Sequence, residues 1–207
     1  MDSTSCLTDV SVPLVVDTSA VINLVASGYA PEIIRALPNR LLVVDAVPAE
    51  LRLGQAQDRI SFEQLRELSR AGLIEAVSLN EAELVVFEEL VIGSASETLD
   101  DGEAATIACA VRRGFVAIID EKKATRICGV RFPALVLASS VDLFTHGAVI
   151  ERLGHSKLAE GVFNSLRDAR MSVLPHHLDI VVHLIGESRA AECLSLPATV
   201  RRARQRD

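Results

Sequence analysis

Residues 13–23 read PLVVDTSAVIN, and this stretch decides the fold. Leu14, Val15 and Val16 form an apolar, β-branched run without polar alternation, the pattern of a strand buried on both faces of a parallel sheet. The run stops at Asp17. Thr18 and Ser19 can cap a helix, and Val21, Ile22, Leu24 and Val25 supply its apolar face. The junction puts a carboxylate at the carboxyl end of a central strand, where open α/β sheets hold their ligands. Aspartate is also a good helix cap, so the junction takes its meaning from acids elsewhere in the chain.

Two further runs have the same buried-strand character, RLLVVDAV at 40–47 and FVAII at 115–119, and IEAVSL at 74–79 and ALVLA at 134–138 read as further strands. Helical segments separate them. Pro31 to Leu37 reads as a short helix, and Pro48 suits a first helical position that puts Glu50 in a first turn. Ser61, three residues before Gln64, opens a helix with a capping-box pattern, carried on by Leu65, Leu68 and Leu73. Asn80 caps a helix with Leu84, Phe87, Leu90 and Val91 on its apolar side. Asp101 is the natural N-cap of the helix holding Glu103, which Gly114 ends. A last α/β unit comes after Asp120. Strands alternating with helices predict an α/β fold with a parallel sheet. From Ser140 onward the pattern is helical throughout, with Leu158, Val162, Phe163 and Leu166 on one face and Leu178, Val181, Val182 and Ile185 on another.

Composition narrows the function. Hydrophobic residues make up 49% of the 207, enough for a core that needs no disulfides. Cys6, Cys109, Cys128 and Cys193 are widely spaced, without a CxxC pair or a zinc-type grouping. Aromatics are 3% and tryptophan is absent, which excludes a stacking platform for single strands. A net charge of -7 argues against a nucleic-acid-coating protein, yet suits a metal-dependent site that concentrates carboxylates. The first residues lack a basic region and an apolar signal segment, and no apolar run nears the roughly 20 residues of a spanning helix. A cytoplasmic protein without membrane partners is expected.

The acids fall into a constellation. Asp17 and Asp120 each end a strand, and Glu50 and Glu103 each sit in the first turn of a helix. All four can project from one edge of a parallel sheet, with helix N-termini favouring their ionised forms. Such a cluster repels itself until a cation binds, and hard oxygen ligands select Mg²⁺ or Mn²⁺. The chemistry this supports is metal-assisted hydrolysis of a phosphodiester. Asp101 competes with Glu103 for a role, and Glu121 with Asp120.

Four segments carry a family resemblance: Asp17-Thr18-Ser19, Pro48-Ala49-Glu50-Leu51, Asp101-Gly102-Glu103-Ala104-Ala105 and Ile118-Ile119-Asp120-Glu121-Lys122-Lys123-Ala124. In order and spacing they resemble the signature segments of PIN-domain nucleases, closest to a branch of VapC-like toxin ribonucleases with a Gly-Glu-Ala third motif. The resemblance implies a three-layer α/β/α fold with a parallel sheet of order 3-2-1-4-5 plus C-terminal helices. The likeness covers a nuclease domain at 13–145, and a helical extension at 146–195, expected to pack on it, also resembles that branch; the sequence leaves an N-terminal extension at 1–12 and a basic tail at 196–207 that reads as disordered. The resemblance further implies Mg²⁺- or Mn²⁺-dependent endoribonuclease activity on single-stranded or structured RNA, a homodimer, and inhibition by an antitoxin protein. Carried over by position, Asp17, Glu50, Glu103 and Asp120 are the catalytic, metal-binding acids. Ser19 is the hydroxyl supporting the site and facing substrate. One departure stands out: residues 137–140 read Leu-Ala-Ser-Ser where that branch often has a Thr-Gly-Thr-like turn.

Beside the motifs, Lys122, Lys123 and Arg126 are placed to meet RNA phosphates, with a solvated helix face as the plain alternative. Arg52 and Arg59 carry the same two readings. His176 and His183 would lie roughly 10 Å apart on one helix, too far to share an ion. They and His177 read as surface or interhelix residues. A haloacid-dehalogenase-type phosphohydrolase also begins with strand-Asp, but needs a second aspartate where Ser19 stands. The remaining alternatives are a catalytically silent PIN-like binding or dimerisation module and a DNA-directed nuclease.

Overall fold

The computed structural model describes residues 7, 9–45 and 56–201. Five strands form one parallel sheet of order β3-β2-β1-β4-β5: β1 (Leu14–Val16), β2 (Leu41–Val44), β3 (Ile74–Val77), β4 (Val116–Ile118) and β5 (Leu137–Ala138). The expected order is the observed one. β1 coincides with its apolar run, while the four later strands are shorter than theirs; β5 begins only at Leu137, three residues into ALVLA.

The missing polar alternation has a direct cause. Leu14 and Val16 point into one core with Leu41, Val43, Val116 and Ile118. Val15 points into a second core with Leu42, Val44, Ala117 and Ile119. Val15 is registered against Leu42 on one side and Ala117 on the other, so β1 is covered above, below and at both edges. All three β1 side chains are completely buried. Each is worth about 1.5–3 kcal/mol in burial, which leaves no position on this strand free to be polar.

The first core is closed by α1 (Thr18–Ala26), α2 (Ala30–Ala36), α3 (Ala56–Arg70) and the C-terminal helices. The second is closed by α4 (Glu81–Val91), α5 (Asp101–Arg113) and α6 (Lys122–Arg131). The fold is therefore a three-layer α/β/α arrangement. In α5 every residue from Gly102 to Ala110 is buried. Only small side chains and one isoleucine accompany Glu103 there, letting the helix fit between the sheet and α4. Gly114 ends α5 at φ 68°, a left-handed cap that glycine adopts without a Cβ penalty. Glu83 of α4 is fully buried and paired with Arg113 of α5 at 2.5 Å, fastening the two helices.

Some helix limits differ from the sequence reading. α3 already runs from Ala56, so Ser61 lies inside it rather than capping it, since nothing between Ala56 and Ile60 breaks a helix. Pro48, Glu50 and Arg52 lie outside the described residues. The stretch after Ser140 is not helical throughout. It holds α7 (Ser140–Phe144), α8 (Gly147–Asp168), a 3₁₀ turn at Pro175–His177, α9 (Leu178–Ile185), α10 (Glu187–Glu192) and α11 (Ala198–Arg201). α8 is kinked at Gly154 (φ 73°), and the chain leaves helical geometry after Asp168. α8 crosses α1 and α2 at Gly161, where an added Cβ would lie 3.2 Å from Tyr29 Cδ2. The C-terminal helices thus pack on the first core. Leu196 is buried, α11 comes after it, and residues 202–207 lie outside the described part.

Candidate active site

At the carboxyl ends of β1 and β4 the chain places two buried carboxylates, Asp17 and Asp120, each 2% exposed. Asp17 comes directly after β1 and caps α1. Its Oδ1 accepts from the Ala20 N–H at 2.8 Å, and the Ser19 hydroxyl lies 3.0 Å from both of its oxygens. Ser19 therefore orients Asp17.

Asp120 is held from both neighbouring elements. The Ser140 N–H donates to Oδ1 at 2.8 Å, and the Ser140 hydroxyl and Asn23 Nδ2 donate to Oδ2 at 2.5 and 2.7 Å. Ser140 is the first residue of α7, so its N–H is one of those a helix start leaves without an intrahelical acceptor. Behind it Ser139 forms a capping box with Asp142, and His177 Nε2 lies 3.1 Å from the same Asp142 carboxylate. His177 is thus buried between elements, while His176 and His183 are exposed.

Glu103 enters the same cleft from the first turn of α5 and is 8% exposed. The N-cap of α5 is Asp100, not Asp101: Asp100 has extended backbone angles and accepts from the Glu103 N–H at 2.9 Å. Asp101 is exposed at the first helical position. Glu121 also lines the cleft and caps α6. The cleft encloses about 440 Å³ and is also lined by residues 169–172. Lys122 and Arg126 are exposed and do not line it; Arg126 instead donates to the Ser96 carbonyl at 2.8 Å. Lys123 is the basic residue of this helix whose charge reaches Glu103.

The electrostatics are those of acids forced together. Burial holds the Asp17 carboxyl well above the usual carboxylate range, and the charges of Asp120 and Glu103 add to this against its hydrogen bonds. Burial likewise raises Asp120, against the donors from Ser140 and Asn23. Glu103 is pushed up to about 7 by burial first, then by Asp100 and Glu121. A cation among these groups would lower all three. The donors are hard oxygens, which suits Mg²⁺ or Mn²⁺. Among the described residues no three acids, thiols or imidazoles already stand close enough to form a ready-made metal group. Asp17 and Asp120, with Glu103 on the same cleft, are the residues that fit the role.

With this geometry in place the family comparison is decisive. A family profile described as a PIN domain (DUF3368) matches residues 13–131, more than half of the chain. The chain belongs to the PIN-domain family. Comparison with curated proteins and with solved structures gave no match. Ser140 and the 169–172 wall lie beyond the matched segment of this PIN domain. Among the described residues no helix is long and apolar enough to cross a membrane.

Two contributors escaped the sequence reading, and both had a signal. Asn23 is a lone polar residue in the otherwise apolar run Val21, Ile22, Leu24, Val25. Ser140 already stood at the start of the helical region, and Ser139, three residues before Asp142 in capping-box spacing, marks it as a first helical residue with an N–H free to bind.

Proposed function

We propose that this PIN domain is a metal-dependent endoribonuclease that hydrolyses phosphodiester bonds of single-stranded RNA. The observation that carries this reading is the pair Asp17 and Asp120, buried side by side at the carboxyl ends of β1 and β4 with no basic side chain bonded to either among the described residues. Fold maintenance alone does not call for two uncompensated buried carboxylates, which cost stability until a cation joins them. Asp17, Glu103 and Asp120 would hold Mg²⁺ or Mn²⁺, with Glu50 as a further acid by family position. When bound, the ion supplies activated water and stabilises charge on the phosphate. The chain's own part is positional. Ser19 fixes the Asp17 carboxylate, while Asn23 and the Ser140 hydroxyl together fix one oxygen of Asp120. Inhibition by an antitoxin and dimer formation extend the same reading through family likeness.

Purified protein is tested on single-stranded RNA and DNA with Mg²⁺, Mn²⁺ or EDTA, beside Asp17→Asn and Asp120→Asn. Both variants keep side-chain shape, and the first keeps a capping residue. The expected result is metal-dependent RNA cutting that each substitution abolishes. Undiminished cutting by both folded variants, or no Mn²⁺ binding by the wild type, refutes the assignment. Preferential DNA cutting would replace the substrate while keeping the site.

A further inference from the structure

The cleft that holds the acids is also lined by Ala169, Arg170, Met171 and Ser172, which join α8 to the segment before the 3₁₀ turn. Arg170 has φ 54° and is the only non-glycine residue with positive φ among the described residues. That conformation strains any residue with a Cβ, and a helix end of this kind ordinarily uses glycine. The turn is firmly held. The N–H groups of Ala169 and Met171 both donate to the Ser165 carbonyl, at 3.2 and 3.0 Å, and Met171 is anchored in the core at 1% exposure. Glycine would serve this turn with less strain, so what the turn gains from residue 170 is its side chain.

Arg170 is an exposed residue of the cleft lining, and its side chain has no hydrogen bond or ion pair among the described residues. Nearby Arg167 shows the contrast, with two bonds to Asp168 at 2.6 and 2.7 Å. A guanidinium fork matches the two non-bridging oxygens of a phosphodiester, and the carboxylates of the cleft cannot bind such an anion directly. We infer that Arg170 grips a backbone phosphate of the single-stranded RNA lying in the cleft, so the C-terminal helices supply a substrate-binding wall. This rests on the nuclease reading and adds a phosphate-binding residue beyond the matched segment.

The test is fluorescence anisotropy of a labelled single-stranded oligoribonucleotide in Mg²⁺ across a salt series. All proteins carry Asp120→Asn to prevent cutting. Arg170→Gly and Arg170→Lys are compared with the parent, with melting temperature and Mn²⁺ affinity measured on each Arg170 substitution in the Asp120-intact chain. Arg170→Gly is expected to weaken RNA binding about tenfold, and to lower the slope of log affinity against log salt by about 0.7, the value for one lost single-strand phosphate contact. Its melting temperature should hold or rise, and Mn²⁺ affinity should not move. Arg170→Lys should restore the slope but only part of the affinity. Equal affinity and slope for Arg170→Gly and the parent would overturn the inference while leaving the nuclease reading intact. A wild-type chain that neither binds nor cuts RNA would overturn both.

Discussion

Replacing Glu103 by glutamine should stabilise the metal-free protein, and only at high pH. The Glu103 carboxyl goes from an ordinary value of 4.5 to about 7 in the fold, chiefly because it is buried. At about 1.36 kcal/mol per pKa unit, the full difference is about 3.4 kcal/mol. Glu103 lines an open cleft, so water screens part of this, and about 1–2 kcal/mol is the expected cost of its ionised form. Because the folded pKa is raised, the folded state holds the proton more tightly than the unfolded chain. Stability is greatest below about pH 4.5, falls as pH rises, and has lost the whole contribution above about pH 7. Glutamine resembles the protonated carboxyl and removes the dependence. Urea denaturation in EDTA should show Glu103→Gln more stable by about 1–2 kcal/mol at pH 8, and by only a few tenths near pH 4.5. Thermal melting at pH 8 should rise by about 3–6 °C. Adding Mn²⁺ should then stabilise the wild type more than the variant. An equal gain at both pH values, or a loss at pH 8, would refute the claim that burial opposes ionisation here.

Three other outcomes rest on particular contacts. Ser140→Ala removes a donor 2.5 Å from the Asp120 carboxylate, and should weaken Mn²⁺ binding about tenfold by calorimetry, in line with a hydrogen bond to a charged group. Unchanged affinity would mean the Ser140 N–H and Asn23 suffice. Arg113→Met strands the fully buried Glu83 and should cost about 3 kcal/mol in urea denaturation, most of it recovered by adding Glu83→Gln. Gly161→Leu drives a side chain against Tyr29 and Ser27 where α8 crosses α1 and α2. It should cost about 1–3 kcal/mol, and a neutral result would show that α8 can shift away freely.

The strand runs, the acids that end them and the sheet type were legible because each is a local pattern. Leu14 to Val16 had to be buried on both faces, and Asp17 had to sit where that strand stops. Helix ends were harder to read because competing residues stood side by side. Asp100 and Asp101 are both good caps, and only the backbone angle at Asp100 chose between them. Ser61 looked like a cap, but the helix is already under way at Ala56.

What no local pattern could supply is which distant residues meet. Asn23 reaches Asp120 across 97 positions of sequence, and Ser140 reaches it from the start of the helix after the neighbouring strand. The sheet order brings them together by setting β4 between β1 and β5. Arg170 comes to the cleft only because α8 packs on α1 and α2 and ends in a left-handed turn that lines it. By itself the sequence determined the strands, the acids and their shared sheet edge, since burial and helix capping act on neighbouring residues. The tertiary structure alone decided which side chains hold those acids and what faces them, since hydrogen bonds and charges act through space.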